Sequence, residues 1–184
     1  IYDYVPSTLV ESDIAFEGYI ECKQLDERTS NAAKEMFNAA LNDNVNLIAI
    51  SGYRSYSVQE NLYNSRVEVK GVEKTRQYTA EAGASEHQTG LAIDIVCNDY
   101  PYLDEGFENT DAFKWLYNNC YKYGFILRYQ KGKEDITGYN YEPWHFRYIG
   151  NANIAKDIMD RGICFEEFIN EVNSQIEELK GVSN

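Results

Sequence analysis

Ser85-Glu86-His87-Gln88-Thr89-Gly90-Leu91-Ala92-Ile93-Asp94-Ile95 places a histidine on a turn and a carboxylate seven positions later inside an apolar alternation. From Leu91 to Val96 the pattern is that of a strand, with Leu91, Ile93 and Ile95 on one face and Ala92, Asp94 and Val96 on the other. A carboxylate at the centre of such a strand is costly to bury unless it is paired or bound to a cation. The chain has only two histidines, and the second lies in Glu142-Pro143-Trp144-His145-Phe146-Arg147-Tyr148, three positions after a carboxylate. Two imidazoles and one carboxylate are a ligand set for zinc, which leaves Glu142 as a candidate base. Taken singly, either histidine could instead be a hydrogen-bonded core imidazole.

Strand alternation alone puts Glu142 and His145 on opposite faces. The irregularity at Pro143 must re-aim one of them, or Glu142 must lie in the preceding turn. Arg54, in Ser51-Gly52-Tyr53-Arg54-Ser55 after a predicted strand, is either a structural ion-pair partner or a clamp for a substrate carboxylate, which a guanidinium can hold with two parallel hydrogen bonds.

Around these segments the periodicity predicts α+β. Ala33, Met36, Phe37, Ala40 and Leu41 form a helical stripe with Thr29 or Ser30 as N-cap. Residues 45–51 read as a buried strand, and Ser57-Val58-Gln59-Glu60 reads as a capping box opening a helix to about Val69. Residues 70–84 look like a surface connection. Thr110 or Asp111 caps a helix carrying Ala112, Trp115, Leu116, Cys120 and Tyr123, ended by Gly124, and a strand follows through Phe125 to Tyr129. After a polar excursion over 132–141, a strand from Trp144 to Ile149 leads to a helix from Asn151 to Gly162. A last helix, with Phe165, Phe168, Ile169, Val172, Ile176 and Leu179 in its stripe, is expected to face the core.

The 184 residues, 43% apolar and 14% aromatic, suit one domain over 1–184, with residues 1–28 an arm packed on it through Tyr2, Tyr4, Val5 and Leu9. A net charge of −13 argues against a nucleic-acid partner. No run of about 20 apolar residues is available for a membrane span. The start at Ile1 without methionine leads us to expect a removed signal peptide, an omitted membrane anchor or an artificial boundary. Four widely spaced cysteines, Cys22, Cys97, Cys120 and Cys164, permit two disulfides in three pairings, but free and largely buried thiols are the expectation.

Ser51-Gly52-Tyr53-Arg54-Ser55 with Gln59, then Ser85-x-His87-x-x-Gly90-x-Ala92-x-Asp94, then Glu142-Pro143-Trp144-His145 together resemble the VanY-type D-alanyl-D-alanine carboxypeptidases over about residues 25–165. The resemblance implies the fold shared with lysostaphin-type enzymes and hedgehog signalling domains, helices packed on a small antiparallel sheet. It implies one zinc ion held by His87, Asp94 and His145, Glu142 as general base, Arg54 polarising or anchoring the scissile region, and Gln59 and Ser85 binding the terminal D-residue. Gln130 stands where many relatives have proline.

The implied activity is removal of the C-terminal D-alanine from peptidoglycan stem peptides or muropeptides by a monomer outside the cytoplasmic membrane. An L,D-carboxypeptidase on tetrapeptide stems, a D,D-dipeptidase in glycopeptide resistance and a non-catalytic zinc module binding wall peptide are the rival readings. Cytoplasmic dipeptidase relatives keep that compartment as the alternative location.

Overall fold

The computed structural model describes residues 4–182. The chain runs β1 (Leu9–Glu11), β2 (Gln24–Asp26), α1 (Glu27–Asn42), β3 (Leu47–Ser51), α2 (Tyr56–Lys70), α3 (Val72–Arg76), β4 (Ala92–Cys97), α4 (Asp111–Asn119), β5 (Phe125–Leu127), α5 (Glu134–Thr137), β6 (His145–Tyr148), α6 (Ala152–Arg161) and α7 (Phe165–Val182). Single 3-10 turns occupy Glu86–Thr89, Glu105–Asn109 and Cys120–Tyr123. The architecture is α+β: an antiparallel sheet in the order β3-β4-β6-β5, with β1 and β2 paired separately.

On the face opposite Asp94 the register aligns Ala49, Ile93, Ile95, Phe146 and Leu127, which are buried in one core with Met36, Leu116 and Ile158 from α1, α4 and α6. At β4 the register pairs Asp94 with Ser51 on one side and with His145 on the other. Directly paired residues of an antiparallel sheet project to one face, so the pairing of three strands gathers this polar group.

Several local expectations shift. Asp26, not Thr29 or Ser30, caps α1, its carboxylate accepting from the Arg28 N–H at 3.0 Å; Thr29 and Ser30 are buried within the first turn, and Leu41 is exposed. Ser55 caps α2 in place of Ser57, accepting from the Val58 N–H at 3.3 Å, so the helix opens two residues earlier. The connection 70–84 contains α3 and buries Thr75 and Thr79. Thr110 caps α4 as read, and Asn151 and Gly162 bound α6. In α7 only the first turn meets the core, through Phe165 and Phe168, whereas Ile169, Ile176 and Leu179 are exposed. All four cysteines are free, three of them buried and Cys22 exposed.

The described part of the amino-terminal segment is tied to the body largely by backbone, as where the Tyr4 carbonyl accepts from Gln88 Nε2 at 3.1 Å. Tyr2 falls outside the described residues, and Tyr4 and Val5 are exposed. Their place is taken by backbone: β2 touches both sequence blocks that lead into the polar cluster. The Gln24 carbonyl accepts from Tyr53 N–H at 2.7 Å, and the Asp26 N–H donates to the Gly90 carbonyl at 3.0 Å. This approach requires glycine. A Cβ on Gly52 would stand 2.5 Å from the Gln24 carbonyl oxygen, and one on Gly90, whose φ is +69°, would stand 2.7 Å from the Asp26 nitrogen.

Gly52→Ala is therefore expected to destabilise the chain by about 1–3 kcal/mol, as overpacking against fixed backbone does. A thermal melt should show a fall of about 2–4 °C per kcal/mol for a chain this long. An unchanged melt would mean that β2 is free to move away.

Candidate metal centre

His87 sits in the 3-10 turn Glu86–Thr89, which Gly90 closes in the left-handed conformation. Its Nδ1 lies 2.7 Å from the Gly52 carbonyl oxygen. A carbonyl can only accept, so Nδ1 carries the hydrogen and the Nε2 lone pair points the other way. Nε2 is 3.3 Å from Asp94 Oδ2. On the other side of Asp94, His145 Nδ1 lies 3.2 Å from Oδ1 and 3.6 Å from Glu142 Oε2. The two rings meet edge to face, 5.0 Å between centroids.

One ligand atom from each of His87, Asp94 and His145 fits within 4.8 Å of the others. All three residues are buried, and Asp94 Oδ1 accepts no hydrogen bond. An orphaned carboxylate oxygen among imidazole nitrogens is the donor arrangement a divalent metal satisfies, and nitrogen with oxygen suits zinc.

The Glu142 question is settled by a turn. The His145 N–H donates to the Glu142 carbonyl at 3.2 Å, so Glu142 precedes β6 in a tight turn and its carboxylate joins His145 on the same side. Burial pushes the Glu142 carboxyl up to about 8, Asp94 adding to the effect while His145 and the nearby arginines oppose it. Burial likewise works against a charged His145, but the carboxylates of Asp94 and Glu86 on either side of the ring win and carry it to about 9. Burial depresses His87, which stays neutral. Asp94 is held far below the usual carboxylate range by the two histidines despite its burial. The proton on His145 thus stands where a metal would bring charge.

Arg54 enters from the loop before α2. It donates to Gln59 Oε1 at 2.7 Å and to Ser51 Oγ at 2.8 Å, and its Nη2 lies 3.6 Å from Asp94 Oδ2. Gln59 was expected to touch substrate. It is buried, with one end of its amide on Arg54 and the other donating to the Ala80 carbonyl at 2.7 Å, so it acts as a brace for Arg54. Ser85 lies in the wall of the same cavity just before the His87 turn, and its hydroxyl does not cap that turn. The cavity has a volume of ≈ 870 Å³ and holds all seven residues singled out from the sequence in its lining.

The structure adds a residue the sequence reading passed over. Glu86, adjacent to His87, turns its carboxylate to the other histidine: Oε2 faces His145 Nε2 at 3.5 Å, and neither atom has another partner. Oε1 accepts from Arg128 Nε at 2.7 Å and pairs with Arg147 Nη1 at 3.0 Å. Arg128 in turn grips Glu166 with both Nη atoms, at 2.6 and 2.9 Å. Burial opposes its charge, but His145, and after it Arg128 and Arg147, hold the Glu86 carboxyl well below its ordinary value. The Tyr129 ring covers His145 at 4.9 Å. A carboxylate on the far nitrogen of a ligating histidine fixes ring and tautomer, leaving Nδ1 for the metal.

Two outcomes follow. Loading zinc at pH 7 should release about one proton or more, because the His145 proton must leave; titration calorimetry in buffers of differing ionisation heat reads this. Affinity should rise as pH climbs toward 9, and the absence of any released proton would contradict the placement. Glu86→Gln should weaken zinc binding by about 10–100-fold in chelator competition, whereas unchanged affinity would show that Glu86 serves only Arg128 and Arg147.

Residues 22–151 match the family described as VanY: D-alanyl-D-alanine carboxypeptidase. A putative carboxypeptidase of Bacillus subtilis, YodJ, is 44% identical over 92% of this chain, and the chain spans 63% of that protein's length. The solved LdcB LD-carboxypeptidase is 44% identical and superposes with a TM-score of 0.84 over 92% of this chain and 80% of its own. A mutant of the vancomycin-resistance D,D-pentapeptidase VanY, in complex with Zn(II), is 32% identical, with a TM-score of 0.71 over 90% of this chain and 93% of its own. Carrying the His87-Asp94-His145 cluster, the adjoining carboxylate and this sheet register, the chain belongs to the VanY D-alanyl-D-alanine carboxypeptidase family.

Proposed function

We propose that this chain is a zinc carboxypeptidase that removes the C-terminal D-alanine from peptidoglycan stem peptides, working as a monomer outside the cytoplasmic membrane, where that substrate lies. The observation that carries the reading is a buried carboxylate with a raised pKa, Glu142, 3.6 Å from a histidine of a three-residue metal cluster inside a cavity large enough for a peptide end. His87 Nε2, Asp94 and His145 Nδ1 would hold the zinc. Zinc supplies Lewis acidity there, polarising a carbonyl and acidifying water.

Glu142 takes a proton from the attacking water at its carboxylate and returns it to the departing amine of D-alanine. Burial favours the protonated form of this carboxyl and a cation in the cluster would favour the charged form, opposing pulls that suit a group asked to gain and then lose a proton. Arg54, fixed by Gln59 and Ser51 beside Asp94, places its guanidinium where negative charge grows on the carbonyl oxygen. Because its hydrogen bonds precede substrate, that stabilisation needs no reorganisation. Trp144 and Tyr129 in the cavity wall keep water from the reacting centre.

The 44% identity to an LD-carboxypeptidase favours a second reading, in which the bond cut joins an L-centre to the terminal D-alanine of a tetrapeptide stem. Incubating the zinc-loaded chain with pentapeptide, tetrapeptide and free D-Ala-D-Ala, with released D-alanine followed by mass spectrometry, separates the readings. Release from the pentapeptide supports the first and release from the tetrapeptide alone the second; cleavage of none, at full zinc occupancy, would refute both. Glu142→Gln should retain zinc and lower kcat by about 10²–10⁴-fold, and near-full activity in that variant would remove Glu142 from the chemistry.

A further inference from the structure

A peptide whose last residue is removed must be held by its terminal carboxylate, three bonds beyond the scissile carbonyl carbon. Arg54 is poorly placed to do this as well as face the carbonyl. Two of its donors are committed to Gln59 and Ser51, and a third points at Asp94, one of the metal-cluster carboxylates. The cavity contains a second guanidinium, that of Arg66. We propose that Arg66 grips the substrate's terminal carboxylate, leaving Arg54 to the reacting carbonyl; this rests on the carboxypeptidase reading above.

The geometry of α2 carries the assignment. Gln59 and Arg66 are seven residues apart, two turns of one face, about 10 Å along the axis. Both are fixed by the segment that runs beside that face: Gln59 donates to the Ala80 carbonyl, and Arg66 Nη1 donates to the hydroxyl of buried Thr79. Helical side chains lean toward the helix N-terminus, so Arg66 reaches from its own turn back toward Gln59, Arg54 and the metal ligands. Its charge is felt there, acting on both Arg54 and Glu142.

What distinguishes Arg66 from Arg128 and Arg147 is its lack of a counter-charge. Arg128 has Glu86 and Glu166, and Arg147 has Glu86. For Arg66 no carboxylate of the described residues comes within ion-pair distance, and its hydrogen-bond partner is a neutral hydroxyl. Thr79 orients one side of the planar fork, and the residue lines the cavity. A half-buried guanidinium held in this way, in a chain of net charge −13, is matched to an anion supplied by the ligand. Val58 and Leu62, on the preceding turns of the helix, also line the cavity and offer apolar contact for a methyl side chain between the two arginines.

The test compares N-acylated stem peptides ending in a free carboxylate with the same peptides ending in a carboxamide, using zinc-loaded protein. The wild type should prefer the acid by at least about tenfold in kcat/KM. In Arg66→Gln that preference should collapse, with the loss appearing as a raised KM for the acid, and Arg66→Lys should fall between, since it keeps the charge but not the fork. Lys70→Gln, which removes the other α2 cation of the cavity wall, one turn beyond Arg66, controls for general electrostatics and should leave the preference within about threefold of wild type.

Retention of the full acid preference by an Arg66→Gln variant with normal zinc content would overturn the assignment, as would an equal loss in Lys70→Gln. If the wild type cleaves neither peptide, the carboxypeptidase reading fails. Equilibrium binding of the acid and amide peptides to wild type and Arg66→Gln then decides the role of Arg66 separately: an acid preference that disappears with Arg66 upholds it, and one that persists refutes it.

Discussion

Asp94 is the constraint on which the rest of the site depends. Its carboxylate is buried in the second strand of the sheet and meets His87 Nε2 at 3.3 Å, His145 Nδ1 at 3.2 Å and Arg54 Nη2 at 3.6 Å. A buried carboxylate is tolerated only with such company. Each partner comes from a different block: the turn before β4, the strand β6 and the loop after β3. Pairing of Asp94 with Ser51 and with His145 in the sheet is what brings those blocks to one point. The field around Asp94 then sets the surrounding chemistry, because its charge helps to keep a proton on His145 and to raise Glu142. A divalent cation relieves both.

Two supports hold this arrangement from outside. On one side β2 lies against Gly52 and Gly90 at distances no side chain permits, so the arginine loop and the histidine turn are fixed to the same strand. The Gly52 carbonyl then chooses the tautomer of His87. On the other side Glu86 faces the outer nitrogen of His145, and Arg128 connects it to Glu166 at the start of α7. This explains why a helix whose later turns are exposed has its first turn packed: Phe165 and Phe168 deliver Glu166 to the ion-pair network behind the metal ligands. The two histidines are thus oriented by different devices, a backbone carbonyl and a carboxylate.

Much of this was legible in the sequence, for physical reasons that also mark the limit. His87 and Asp94 stand in a turn-then-strand pattern, and an acid inside an apolar alternation advertises its need for a cation. The His145 segment has the same property with Glu142, but periodicity alone could not say whether a strand or a turn carried the acid; the hydrogen bond from His145 to the Glu142 carbonyl decides for the turn. Glu86 escaped notice because its partners are 42 and more residues away, and nothing local distinguishes it from a solvated acid. Gln59 lies in the cavity wall with its amide between Arg54 and the Ala80 carbonyl, a pairing that a motif position does not reveal. The stripe of α7 illustrates a related limit: spacing shows that a helix has an apolar face, not how much of that face another element covers.

The central claim is that one zinc ion is held by two imidazoles and the Asp94 carboxylate, with no thiolate. X-ray absorption at the zinc edge of the loaded chain tests it directly. The account predicts a first shell of nitrogen and oxygen at about 2.0–2.2 Å with the outer scattering of two imidazole rings, falling to one ring in His145→Ala. A sulfur shell at about 2.3 Å, or a wild-type spectrum with fewer than two imidazoles, would contradict it.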